Sequence, residues 1–377
     1  MLQRGSMIEE INIFNFLRGI AAISVFLLHC LIIIGIDDNI PFILYTPAWS
    51  GVWIFFIISG YLIGKSYCDG RYLVENNKDF FKFYIVRAIR IFPVYFFIIL
   101  IDIFFVNTNL YFENREMLRR VFTLTLRQPY ITAMNGNLWF ISTICQLYLI
   151  TPFFVKFVLK PIKRARCSKL LYWMLFIVLF IYGLCFRSIM WQKGISWDYN
   201  VLPSIFGNID LFFCGFTLNL LITSKNDNSL KKIGRVFAFI IFLLVFVVNC
   251  YFMKETLVIN ENSFIAKDLF ASVMIVVISV MIWAFDRNKK VQVTKSIYNP
   301  IQWLEWLGII SFGFYLCHCQ TIYNLTCVFA HCNKSMKYIG VVSFSFIFTL
   351  IWGYLIHVLL EKPLVNVKKS IIKNMDV

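Results

Sequence analysis

The feature that most constrains this chain is the recurrence of apolar runs long enough to cross a bilayer. A membrane-spanning helix needs about 20 predominantly apolar residues. Runs of that kind fall at roughly 13–34, 49–64, 92–106, 138–155, 170–186, 205–223, 236–252, 268–285, 304–330 and 339–360. Together they leave no stretch for a sizeable soluble domain. Composition agrees: 60% of the residues are apolar and 15% charged, whereas soluble domains are nearer half apolar and about one quarter charged. The expectation is an all-α, polytopic integral membrane protein of about ten transmembrane helices. Residues 11–363 form a single membrane-embedded domain, and 364–377 a basic cytoplasmic tail. The first run is too long for a signal-peptide core and no small-residue cleavage site follows it, so it counts as a span. Gly60 and Gly64, four apart in the second run, predict close packing on a neighbouring helix.

Charge then orients the spans. The formal net charge is +16, which on a soluble protein would suggest a nucleic-acid partner. With the N-terminus inside, however, 25 of the 36 Lys and Arg residues fall in cytoplasmic segments and 10 outside, with Arg18 inside the first span. That asymmetry satisfies the positive-inside rule with both termini cytoplasmic, so the charge reports topology and no nucleic acid is expected. The eleven cysteines are scattered, odd in number and without metal-ligand spacing, Cys317 and Cys319 included. They predict neither a disulfide framework nor a metal site. In the longest inter-span stretch, 107–137, Leu118, Phe122 and Leu126 recur at helical spacing and predict a short interfacial helix.

Polar groups inside spans cost about 2.5–3.5 kcal/mol each on insertion scales, so each needs a reason. The set comprises Arg18, His29, Asp102, Asp210, His318 and His357, flanked by Arg87, Arg90 and Glu361. Eleven residues separate Arg18 from His29, which places them within about 20° on one helix face and about 16 Å apart along the axis. That stripe favours a lined cavity over separate snorkelling and helix-bridging roles. Arg87 and Arg90 share a face and precede Pro93, which predicts a position at the mouth of the third span, before it or on its first turn. They read either as positive-inside decoration or as a forked clamp for phosphate. Ser311, Tyr315 and His318 form one narrow polar stripe, and Trp139, Ser142 and Gln146 another; such stripes join helices or line a substrate chamber. Asp102 and Asp210 have no partner at helical spacing.

Several of these residues sit in segments that resemble the acyltransferase-3 family of integral membrane acyltransferases. Asn15-Phe16-Leu17-Arg18-Gly19-Ile20-Ala21-Ala22, followed by His29, resembles its opening motif. Phe55 to Ile63 resembles the second-span motif, Arg87-Ala88-Ile89-Arg90-Ile91-Phe92-Pro93 the paired-arginine motif, and Leu138-Trp139-Phe140-Ile141 through Gln146, Tyr148 and Pro152 the fourth-span signature. Ile310 to His318 resembles the late histidine motif, and Glu361-Lys362-Pro363 the closing one. Six motifs in order, from residue 15 to 363, make a specific resemblance. Many members carry an acidic residue where this chain has Asn15, and glutamates where it has Ile144 and Cys145.

The resemblance implies a multi-pass protein of a bacterial plasma membrane that moves an acyl group, acetyl by expectation, from a cytoplasmic acyl-CoA to a sugar hydroxyl of a surface polysaccharide. Acyl-CoA would be a co-substrate, with no permanently bound cofactor. Arg18, Arg87 and Arg90 would hold the donor. His29 would be the general base, because histidine is the side chain whose ordinary pKa suits proton transfer near neutrality. His318 would orient the acceptor, relay a proton or stabilise an oxyanion. Trp139, Ser142, Gln146, Ser311 and Tyr315 would line the substrate path. A transporter or flippase for a glycan or lipid-linked precursor is the rival reading, although no internal repeat supports it.

Overall fold

The computed structural model describes residues 8–10, 12–35, 40–72, 74–101, 103, 138–195, 200–222, 228–258, 264–285, 292–294 and 299–375. Each apolar run becomes a helix: α1 (Ile13–Ile34), α2 (Ala48–Cys68), α3 (Asn77–Ile101), α4 (Trp139–Phe154), α5 (Ser168–Gln192), α6 (Ile209–Leu221), α7 (Asn228–Val258), α8 (Phe270–Phe285), α9 (Pro300–Val328) and α10 (Lys334–Ile356). A wide π-turn, His357–Glu361, carries α10 into α11 (Lys362–Met375), and another, Val155–Leu159, extends α4 towards Arg164. Among the described residues, eight helical stretches are long and apolar enough to cross a membrane. α6, with 13 residues, is shorter, and α9 is interleaved with polar side chains. The only strand pairing among the described residues joins Ile8–Glu10 to Gln292–Thr294, antiparallel. Outward-facing apolar stripes such as Leu170, Trp173, Ile177 and Ile181 on α5 suit a lipid solvent, in which burial on folding no longer separates apolar from polar faces.

The site rests on the junction of α1 with α9. Asn12 caps α1, its side chain accepting from the amides of Phe14 and Asn15, while its own amide donates to the Glu305 carboxylate on α9. Asn299 caps α9 just ahead of Pro300. The two helices then approach to backbone contact. A Cβ at Gly19 would overlap the carbonyl of Leu304, and one at Gly308 the carbonyl of Asn15. The close packing expected of Gly60 and Gly64 is present too, against the carbonyls of Phe212 and Phe216 on α6.

Two local expectations change. α3 begins at Asn77, well before the apolar run at 92, because Asn76 and Asp79 bond reciprocally across its first turn: Asp79 accepts from the amide of Asn76, and Asn76 from that of Asp79. This is a capping-box arrangement that starts a helix regardless of hydropathy. Arg87 and Arg90 therefore lie inside α3, in about its third and fourth turns, and Pro93 lies inside the helix. Second, Arg187 is not a solvated loop residue. Its fully buried guanidinium donates to both carboxylate oxygens of Asp210 at 3.1 and 2.7 Å, to the Ser272 hydroxyl at 2.8 Å and to the Gly207 carbonyl at 3.1 Å. Asp210 thus has a partner, on a different helix. Asp102 and the whole 107–137 stretch with its expected interfacial helix lie outside the described residues.

Candidate active site

A chamber of about 470 Å³ opens at the end of the bundle that holds the start of α1 and the C-terminus of α10. Arg18 from α1 and Arg87 and Arg90 from α3 all line it, so the three arginines expected to hold a donor converge. Ser311 and Tyr315 of α9 line it as well. Trp139, Ser142 and Gln146 are not among its lining residues. α4 instead presents Phe140, Ile141, Ile144 and Tyr148, and the Ser142 hydroxyl donates to the Leu138 carbonyl at 3.5 Å. Asn15 and Ile144, the two departures from the family pattern with a side chain on this wall, leave it without the carboxylates many members carry there.

Arg87 is held by aromatic faces. Its guanidinium carbon lies 5.1 Å from the ring centre of Tyr72, 5.5 Å from Phe83 and 5.4 Å from Tyr148, within cation–π range. Its Nε is buried without a partner. The cage fixes the plane of the fork and leaves its donors for a ligand. Pro93 adds a further polar group, since a proline nitrogen has no hydrogen to give the carbonyl of Ile89, a chamber residue four positions earlier.

At the inner end of the chamber the rings of Phe55, Phe140 and Tyr315 meet, with centroids 5.5–6.0 Å apart. Behind Tyr315, at 5.6 Å between ring centres, stands His318, and against it His29, at 5.0 Å. The pair is not on the chamber wall but directly beyond it. Each Nδ1 faces a carbonyl of its own helix: His29 that of Val25 at 2.8 Å, His318 that of Tyr315 at 2.6 Å. The tautomer that satisfies both carbonyls has hydrogen on Nδ1 and a lone pair on Nε2 of each ring. His318 Nε2 then lies 3.2 Å from His29 Nδ1, whose one hydrogen it shares with the nearer Val25 carbonyl.

A family model described as an acyltransferase domain matches residues 11–358, nearly the whole chain. The chain belongs to the acyltransferase-3 family. No curated protein and no solved structure matches it.

In this membrane acyltransferase two further features escape a reading by apolar runs and polar stripes. His357 and Glu361 face each other across the π-turn at 2.5 Å and line the chamber. Their i, i+4 spacing is a signal the sequence carries. Cys319, next to His318, puts its sulfur 3.5 Å from His318 Nε2. With His29 it forms a group whose ligand-type atoms lie within 4.8 Å of one another, close enough for a soft divalent cation. All eleven cysteines are free thiols.

Proposed function

We propose that this acyltransferase takes an acyl group, acetyl in the first instance, from a cytoplasmic acyl-CoA and esterifies a sugar hydroxyl of an exported or surface polysaccharide, working in the plasma membrane with both termini cytoplasmic. The observation that carries the reading is the succession along one line: a chamber walled by unpaired arginines, then a ring cluster, then a histidine pair. Phosphates of the donor would sit against Arg87, Arg90 and Arg18, and the thioester arm would run inward past Phe55, Phe140 and Tyr315. So tight a ring cluster suits a short acyl group.

His29 Nε2 takes the proton of the sugar hydroxyl as its oxygen adds to the thioester carbonyl. The tetrahedral adduct then collapses, the C–S bond breaks, and the proton passes from His29 to the departing sulfur, giving ester and free CoA. The Val25 carbonyl and His318 Nε2, which share the His29 Nδ1 hydrogen, stabilise the imidazolium in between, in the position a carboxylate takes in a hydrolase triad. Labelled acetyl-CoA incubated with purified protein and a polysaccharide acceptor tests the reading. Acetyl ester and stoichiometric CoA are expected, and absence of both, with folded protein and surface glycan from the source cell, would refute it.

A further inference from the structure

The chamber holds more positive charge than three arginines. Lys362 and Lys368 of α11 line it too. The helix brings them there through a specific register: Glu361, Leu364, Val365 and Lys368 recur at i, i+3, i+4 and i+7 and form one face directed at the chamber, with Lys362 beside it. The π-turn at His357–Glu361 sets that register, since the extra residue in its wide turn rotates everything that follows. From Lys334 to Ile372 the helix runs 39 residues, or about 58 Å at 1.5 Å per residue, longer than the 40–45 Å of a bilayer with its headgroups. Its last turns therefore reach beyond the membrane core, packed against α3.

Five cations thus share one chamber: Arg18, Arg87, Arg90, Lys362 and Lys368. Among the described residues none of them is within ion-pair distance of a carboxylate. Glu361, the one acidic side chain among the described residues of the wall, is engaged by His357. Lys368 also stands within electrostatic reach of Arg87 and Arg90, so the like charges repel one another until an anion arrives. The net charge of the wall, counting Glu361 and leaving His357 neutral, is +4. A coenzyme with one diphosphate and one phosphomonoester carries about −3.5 to −4 near neutrality.

We propose that α11 carries a second phosphate subsite, in which Lys362 and Lys368 bind the phosphomonoester on the nucleotide end of the donor while the α3 arginines hold its diphosphate. The C-terminal helix is then a wall of the donor site, not a solvated tail, and it makes the enzyme select a nucleotide-bearing carrier over a bare pantetheine thioester. The proposal rests on the acyl-CoA reading above. The division of labour follows side-chain type: the fixed forks of α3 suit a rigid diphosphate, and flexible lysines at the mouth suit a terminal phosphate reached from solvent.

The test is equilibrium binding of acetyl-CoA and acetyl-3′-dephospho-CoA to the full-length protein in nanodiscs, for wild type, Lys362→Gln/Lys368→Gln and Lys362→Arg/Lys368→Arg. Wild type should bind acetyl-CoA at least about tenfold more tightly than the dephospho donor, because a charge-assisted contact is worth about 1.5–3 kcal/mol. The Gln pair should lose that preference and bind both donors alike. The Arg pair, which keeps the charges, should retain it, and a retained melting temperature marks every variant as folded. An unchanged preference in the Gln pair, or no preference in wild type, overturns the subsite while leaving the donor assignment standing. Failure of wild type to bind either donor overturns both.

Discussion

Replacing Arg87 separates a clamp from surface decoration more sharply than any other change on α3. Its guanidinium is stacked by Tyr72, Phe83 and Tyr148 at 5.1–5.5 Å, each contact worth about 0.5–1 kcal/mol at exposed sites and more when desolvated. Those contacts orient the fork before a ligand arrives, so less freedom is lost on binding. Arg87→Ala removes a charge-assisted hydrogen bond to phosphate, about 1.5–3 kcal/mol, or about tenfold to over a hundredfold in donor affinity. Arg87→Lys keeps the charge but neither stacks in plane nor offers the fork, and should still lose about tenfold. Tyr148→Leu opens one side of the cage and should fall between wild type and Lys. The assay is isothermal titration of acetyl-CoA into protein in nanodiscs, paired with turnover at saturating donor. The loss should appear in Kd and KM, with kcat recovering as donor is raised. An Arg87→Ala affinity within about twofold of wild type would refute the clamp.

Three other outcomes follow from the geometry. Asp210→Asn leaves the buried Arg187 guanidinium without its counter-charge and should destabilise the protein by about 3–5 kcal/mol, read as a lower melting temperature in detergent, whereas Arg187→Met with Asp210→Leu should recover much of it. Gly308→Val must push α9 away from the Asn15 carbonyl; it should cost about 1–3 kcal/mol as overpacking and lower turnover by moving His318 off His29. Phe140→Ala opens the ring cluster between chamber and histidines and should raise kcat/KM for butyryl- relative to acetyl-CoA, and an unaltered chain-length profile would remove the rings as the limit on acyl size.

Apolar runs locate α1 to α10 because a bilayer demands length and hydropathy together, but not the polar α11 that follows them. They do not locate ends, since capping is local and polar: the bonds between Asn76 and Asp79 start α3 inside a charged stretch and bring Arg87 and Arg90 within it. One-helix periodicity puts Arg18, Ser311 and Tyr315 on the chamber, but His29 and His318, on the same two stripes, are not among its lining residues. It misplaces the inward face of α4, where polarity marks Ser142 and Gln146 but the wall is Phe140, Ile144 and Tyr148. In lipid an apolar side chain is equally at home facing inward, so polarity alone loses its directional meaning. It is blind to partners on different helices, as with Asp210 and Arg187, and with His29 and His318, which only the glycine-mediated approach of α1 to α9 brings to 3.2 Å.

Single-turnover transfer of labelled acetyl from acetyl-CoA to polysaccharide by His29→Gln, beside wild type, decides whether His29 removes the acceptor proton. Glutamine keeps the size and can still hydrogen-bond Val25 or His318, but it takes up no proton at working pH. Transfer should fall by about 10²–10⁴-fold while acetyl-CoA affinity stays at the wild-type value, because Arg18 is about 16 Å away along α1 and the α3 forks lie at the chamber end. Substantial transfer by His29→Gln, with loss of thermal stability in His29→Ala instead, would rule out His29 as the base and reduce it to a bridge between helices.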